Sequence, residues 1–423
     1  MSIANLLTKQ IGRVALTTAC TISGLTLGLN PAFAGPREQA RFIHDRIAGV
    51  PPTNSVLNSM TTDISGGNIT SAVNTAMANS NFLNVTVKNM VIPWTNKEQT
   101  VFAPLNDAAA TIIGYIRDGK DFRGIMFDNT IYVGNDNTLP AYSNSNNNHY
   151  AQMEHRNLDL ASVLLEQPQT NVTGLPGEAV AGVTTTRQSA RAFFYAGTNR
   201  AMFRFTLMNY MCLDLEQVKD ITRIPDRIRQ DPSRSPGGDS DVYLNNCLGC
   251  HAGLDALAGA YAYYEWQYPQ NGDPDTGFLR YNLTAETYDL EGNSITSRVS
   301  RKHLINPTNF IYGYVTSDDS WKNYWRTGVN ANLQWGQDSS LTPANSPQAA
   351  VSGNGAAALG REMANTGAFA RCQVVKVYRH VCHADPDETT LQTLVGNFAG
   401  ANYDMRTVFR DSVTDCMNKN PNI

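Results

Sequence analysis

Charge is scarce in this chain and neither sign prevails. Charged residues make up 17% of 423, and 33 Lys and Arg against 37 Asp and Glu leave a net charge of −4. Nothing is basic enough to suggest nucleic acid or anionic lipid as a partner, and neither is expected. There is no internal repeat and no apolar run long enough to span a bilayer. Cysteine and histidine number seven each. That supply holds no second Cys/His pair to complete a zinc site around the one C-x-x-C. No βαβ pattern surrounds that C-x-x-C either, which removes a thioredoxin-like redox pair.

What is present begins with a targeting pattern. Lys9 and Arg13 precede a mostly apolar stretch over 14–29, and Pro31-Ala32-Phe33-Ala34 ends in A-x-A before Gly35. The expectation is a signal peptide over 1–34 and an exported, bacterial periplasmic location. Without Lys9 and Arg13 the net charge becomes −6.

The strongest motif is Cys247-Leu248-Gly249-Cys250-His251, the C-x-x-C-H attachment pattern of a c-type haem. Two thiols three residues apart lie on one side of a helical turn, where each can add to a porphyrin vinyl group. The next residue, His251, then supplies the proximal nitrogen to iron. Chance would produce about two such matches per thousand chains of this length and composition. The motif occurs once, which predicts one covalent haem c. Asp255, one turn on, is placed to orient His251.

Six cysteines remain after the leader, and two of them belong to the motif. Cys212, Cys372, Cys382 and Cys416 are an even set in an oxidising compartment, which predicts two disulfides. Cys372 and Cys382 share a predicted helix, about 15 Å apart along its axis, beyond disulfide reach. An up-down-up arrangement of the last three helices favours Cys382–Cys416 and Cys212–Cys372.

The periodicity predicts a mainly α protein with a small β-hairpin insertion. Helices are expected over 37–48, 71–80, 107–117, 122–127, 189–211, from the motif to Trp266, and over 317–326, 360–381, 389–398 and 403–417. A short strand is expected at 130–133, a hairpin at 280–299 turning at 291–293, and a loop at 336–358. The Gly/Thr/Pro-rich stretch 167–182 suggests a boundary. The division is then an N-terminal helical domain (35–182), a haem-binding module (183–300) and a C-terminal helical domain (301–423). Arg227, Arg229 and Arg234 are candidate propionate partners. Asp239 or Ser240 is a candidate cap for the motif helix. Tyr261, Tyr263, Tyr264, Trp266 and Tyr268 suit a pocket edge.

The stretch CLGCHAGLDALAGAYAYYEW, followed by GFLRYN, resembles the cytochrome-like module of planctomycete-type cytochrome c proteins. That module reads C-x-x-C-H-x-x-x-D, then an aromatic segment and a G-x-x-R element. Cys247, Cys250, His251, Asp255 and Arg280 fall on those positions. LGREMANTGAFARCQVVKVYRHVC and FAGANYDMRTVFRDSV look like the helical domain that ends such proteins, and DFRGIMFDNTIYVGND is similar to their preceding helical domain. The resemblance spans 55–423 and implies a fold and a haem cofactor, not a substrate.

The ligand opposite His251 decides the function. Met or His there makes a closed electron-transfer centre, whereas an open site admits a small ligand. Met363 and His303 are the leading candidates, with His380, His383, Met208, Met211, His149 and His155 behind them. The expected function is electron transfer between redox partner proteins. Two alternatives stand beside it: a peroxidase- or oxidase-like haem enzyme with an open distal side, and a haem subunit binding its partner in a larger redox complex.

Overall fold

The computed structural model describes residues 34–222, 241, 243–268, 272–285, 294, 296–303, 316–326, 328–333 and 351–420. Helix α1 (Pro36–Ala48) begins on a proline, whose missing N–H has no helical partner to lose there. It stops at Gly49, where φ is +71°. Thr53 and Asn68 cap α2 (Asn54–Ser65) and α3 (Ile69–Met77) by accepting from the backbone N–H of Val56 and Ser71. These three helices pack on one another. The Val-rich stretch that follows is also helical, through a wide turn (Phe82–Val87), one α turn (Lys88–Val91) and a tight turn (Ile92–Thr95) holding Pro93.

Helix α4 (Asp107–Arg117) is the central one. Every residue from Asp107 to Ile116 is buried, the pattern of a helix enclosed on all sides. The predicted helix over 122–127 is a single tight turn, Phe122–Met126. Strand β1 (Ile131–Gly134) lays Tyr132 directly on α4 at Gly114, where a Cβ would sit 2.3 Å from the ring. Helix α5 (Asn148–His155) leads towards β2 (Leu164–Gln167), which pairs antiparallel with β1. Within the stretch 167–182, Ala179, Val180 and Ala181 are at most 3% exposed. One continuous hydrophobic cluster draws on all three proposed segments, from Ala40 to Met417.

The single helix expected over 189–211 is broken. A short helix (Arg187–Phe193) ends before Gly197-Thr198, and α6 (Asn199–Met211) starts afresh with Thr198 extended. The carbonyls of Phe194 and Tyr195 are taken instead by the ammonium groups of Lys302 and Lys97. Helix α7 (Leu248–Ala258) carries the C-x-x-C-H motif. It does not run on to Trp266. A tight turn (Gly259–Tyr261) is followed by β3 (Tyr264–Gln267), paired antiparallel with β4 (Phe278–Tyr281). Tyr264 and Trp266 are buried while Gln267 is exposed, so the local period is two rather than 3.6. The sheet uses Arg280 and Tyr281 of the expected later hairpin, whose turn at 291–293 lies outside the described residues.

The capped helix expected over 317–326 is instead β5 (Ser320–Asn323) and a tight turn (Tyr324–Arg326). Its side chains alternate in burial, with Trp321 and Asn323 inside. Its partner β6 (Val351–Asn354) occupies part of the expected loop. Sequence 360–381 forms two helices, α8 (Gly355–Ala364) and α9 (Gly367–Cys382). Thr366 separates them by capping the second through the Phe369 N–H. Helices α10 (Glu388–Gly400) and α11 (Met405–Lys419) follow as expected and pack with α9. Helix α1 lies along α11, and Phe82 meets Phe409 edge to face at 5.1 Å. Among the described residues the fold is mainly α with three small two-stranded antiparallel sheets. Among the described residues no helix is long and apolar enough to cross a membrane.

Both disulfides pair as expected. Cys212 at the end of α6 joins Cys372 in α9, and Cys382 at the end of α9 joins Cys416 in α11, with Cα atoms 5.2 and 5.8 Å apart.

Where α1 meets α9, the Arg46 guanidinium donates to His383 Nδ1 at 2.7 Å. Burial, then the neighbouring His383, pushes the His380 imidazole below its ordinary value of 6.5; burial and Arg46 do the same to His383. The native state therefore binds fewer protons here than the unfolded chain. The stability these groups contribute is complete above 6.5 and declines as pH falls through and below it. The melting temperature should drop between about pH 7.5 and about pH 5.5, and drop less in a His380→Gln, His383→Asn double variant. Asn suits position 383 because φ there is +56°. An equal drop in both proteins would place the pH dependence elsewhere.

Candidate functional site

The motif sits at the start of α7, after a wide turn over Tyr243–Cys247. Cys247 is the residue before the first helical one, so Cys250 and His251 follow on the first turn. Both thiols are half-buried and unpaired. Burial, then the Glu216 carboxylate, pushes the Cys250 thiol up; its Sγ lies 3.9 Å from Glu216 Oε1. Leu248, Ala252 and Cys247 form a small apolar cluster separate from the main core. Against it stands the 219–221 segment, tied down by Asp220 N–H donating to the Gly249 carbonyl at 2.9 Å. Gly249 permits that approach: a Cβ there would lie 3.1 Å from Ile221 and 3.2 Å from Lys219. Ile221 is 72% exposed, an apolar side chain beside the motif.

His251 Nδ1 lies 3.0 and 3.1 Å from the two carboxylate oxygens of Asp255. Helical spacing i to i+4 puts the two on one face, as expected. A carboxylate accepts only, so Nδ1 donates, and in the neutral form of the ring the lone pair is on Nε2. Asp255 is held in turn by the Arg200 guanidinium from α6. The carboxylate side chain is 1% exposed. Burial opposes its ionisation, but Arg200 and His251, by charge and by hydrogen bond, outweigh burial and hold the carboxyl well below the usual range. Two further contacts fix α7. Asn199 Nδ2 donates to the Ala258 carbonyl at 3.0 Å. Gly253 admits the Trp325 indole, which a Cβ would meet at 2.1 Å.

The donor set fits a haem c. Two unpaired thiols at the required spacing lie beside an apolar cluster, and one imidazole has its tautomer set by a carboxylate. Among the described residues no group of three or more His, Cys, Asp or Glu could hold a bare metal ion.

The other candidates are dispersed. His303 is buried and uses both ring nitrogens: Nδ1 accepts from Asn199 N–H at 3.3 Å, and Nε2 donates to the Tyr264 carbonyl at 2.6 Å. Met363 is fully buried in the main core, and Met211 is in that core too. Met208 is half-buried. His149 is buried between Gly134 N–H and the Pro140 carbonyl, whereas His155 is exposed. His380 and His383 belong to the α1–α9 junction. Arg227, Arg229, Arg234, Asp239 and Ser240 lie outside the described residues. Arg280 pairs with Glu265 across β3 and β4 at 2.7 Å. Of the aromatic set, Tyr261, Tyr263, Tyr264 and Trp266 are buried and only Tyr268 is exposed. They serve mainly as core rather than as a pocket rim.

Arg200, Asn199 and Trp325 were not legible as site residues. Their partners stand 55 or more positions away in the chain, and no local spacing marks them. Comparison with protein-family profiles, curated proteins and solved structures found no match to the chain.

Proposed function

We propose that the chain is an exported monohaem c-type cytochrome that carries electrons between redox partner proteins, as its resemblance to planctomycete-type cytochrome c proteins implies. One observation carries this reading. Four of the six cysteines beyond the leader are joined in disulfides, and the two left unpaired are those of the C-x-x-C-H motif. Cys247 and Cys250 would hold the haem by thioether bonds, and His251 would ligate through Nε2. When bound, haem supplies an iron that exchanges one electron at a time. Asp255 holds the imidazole ring in one orientation, and Gly249 lets the 219–221 segment close against the motif helix.

A second reading, a haem enzyme with an open distal side, is favoured by a different observation. Both ring nitrogens of His303 are engaged elsewhere, and Met363 is packed in the main core.

The chain should be produced in a host that matures c-type cytochromes. The native protein should keep haem on a denaturing gel, and a Cys247→Ser, Cys250→Ser double variant should lose all of it. Covalent haem surviving in that variant overturns the assignment. Added CO then separates the two readings: a carrier binds it slowly or not at all in the ferrous state, whereas fast, full binding favours the enzyme.

A further inference from the structure

We propose that Asp255, anchored by Arg200, sets the electronic character of His251 and so poises the haem at a low reduction potential. This rests on the haem reading of the site and adds to it how the potential is set. The Asp255 carboxylate receives the His251 Nδ1–H on both oxygens, at 3.0 and 3.1 Å. Donating to a carboxylate gives the ring partial imidazolate character and makes it a stronger donor at its other nitrogen. A stronger donor and a nearby negative charge both favour ferric over ferrous iron.

The arrangement is built rather than incidental. Asp255 is enclosed, with a side-chain exposure of 1%, so its field is little screened by water. Arg200 comes from another helix and grips Oδ1, the same oxygen that lies 3.0 Å from His251 Nδ1. It adds an opposing positive charge, so the two residues act on the iron with opposite signs. Arg200 and Asp255 are therefore positioning residues that act through His251.

A purely structural staple between α6 and α7 predicts something different. Loss of either partner would then loosen His251 in the same way and move the potential in one direction. The charge arrangement predicts opposite directions. Asp255→Asn keeps the size and removes the negative charge; it should raise the midpoint potential. Arg200→Gln removes the positive charge and should lower it. Each shift should be about tenfold or more in the ferric/ferrous equilibrium, which for one electron is about 59 mV.

The experiment is potentiometric titration of purified wild-type and variant holoprotein, with haem content measured on the same samples. Shifts of opposite sign support the proposal. Shifts of the same sign, or below about threefold in both, overturn it while leaving the haem reading intact. Wild-type protein with no covalent haem would instead defeat the haem reading itself. If Asp255→Asn does not accumulate as holoprotein, Arg200→Gln decides alone, and an unchanged or raised potential sinks the proposal.

Discussion

Replacing Cys212 and Cys372 together by alanine should lower the stability of the chain by about 5 kcal/mol. The bridge closes a segment with a sequence separation of 160, which in the chain-entropy account restricts the unfolded ensemble by that amount. Cys382–Cys416 closes a separation of only 34, and its removal should cost about 4 kcal/mol. The order of the two is the sharper expectation. Denaturant unfolding of each pair variant, on protein of equal haem content, measures it. A reversed order would mean that native contacts around the sulfurs, not loop closure, dominate. The longer loop also contains the whole C-x-x-C-H motif. Without that bridge α6, which supplies Arg200, loses its covalent tie to α9 and keeps only contacts such as Gln373 and Lys376 donating to the Tyr210 and Asn209 carbonyls.

Glu362→Ala should cost about 3–5 kcal/mol, because it strands a buried guanidinium. Arg326 and Glu362 form a two-point pair, with Nη2 and Oε2 2.7 Å apart, and Asn323 Nδ2 donates to Oε1 at 2.9 Å. The two charged side chains are 3% and 0% exposed, so water cannot replace a lost partner. Replacing both, as Arg326→Met with Glu362→Leu, should recover much of the loss, since no unpaired charge is left behind. Thermal melts of the single and double variants provide the test. A double variant as unstable as the single would assign the effect to packing volume. The pair bears on the site because Arg326 follows Trp325, whose indole rests on Gly253 of the motif helix. On the haem reading proposed above, loosening it should also lower haem occupancy.

Much of the architecture was legible because its causes are local. Helix α4 is apolar on nearly every face and begins at an Asn cap. Helices α10 and α11 begin at Asp387 and Asp404, whose side chains accept from the backbone N–H of Thr390 and Arg406. Helical patterns failed where a short stretch of aromatic and apolar residues fits periods of 3.6 and two equally well. Tyr264–Gln267 and Ser320–Asn323 became strands because β4 and β6 were there to pair with them. The breaks at Gly197-Thr198 and Asn365-Thr366 were hidden for a related reason. Small polar residues within an apolar pattern are tolerated in a helix or cap a new one, and the packing of the flanking helices decides which.

At the site the same division holds. By itself the sequence determined the thiol spacing, the His251–Asp255 register and the even set of remaining cysteines. Each follows from chain connectivity over one helical turn or from counting. Only the tertiary structure decided that Arg200 grips Asp255, that Trp325 lies against Gly253 and that both nitrogens of His303 are engaged. The i to i+4 distance is set by helix geometry wherever the helix goes. A contact between residues 55 apart exists only once two helices have docked, and that depends on burial summed over the whole core.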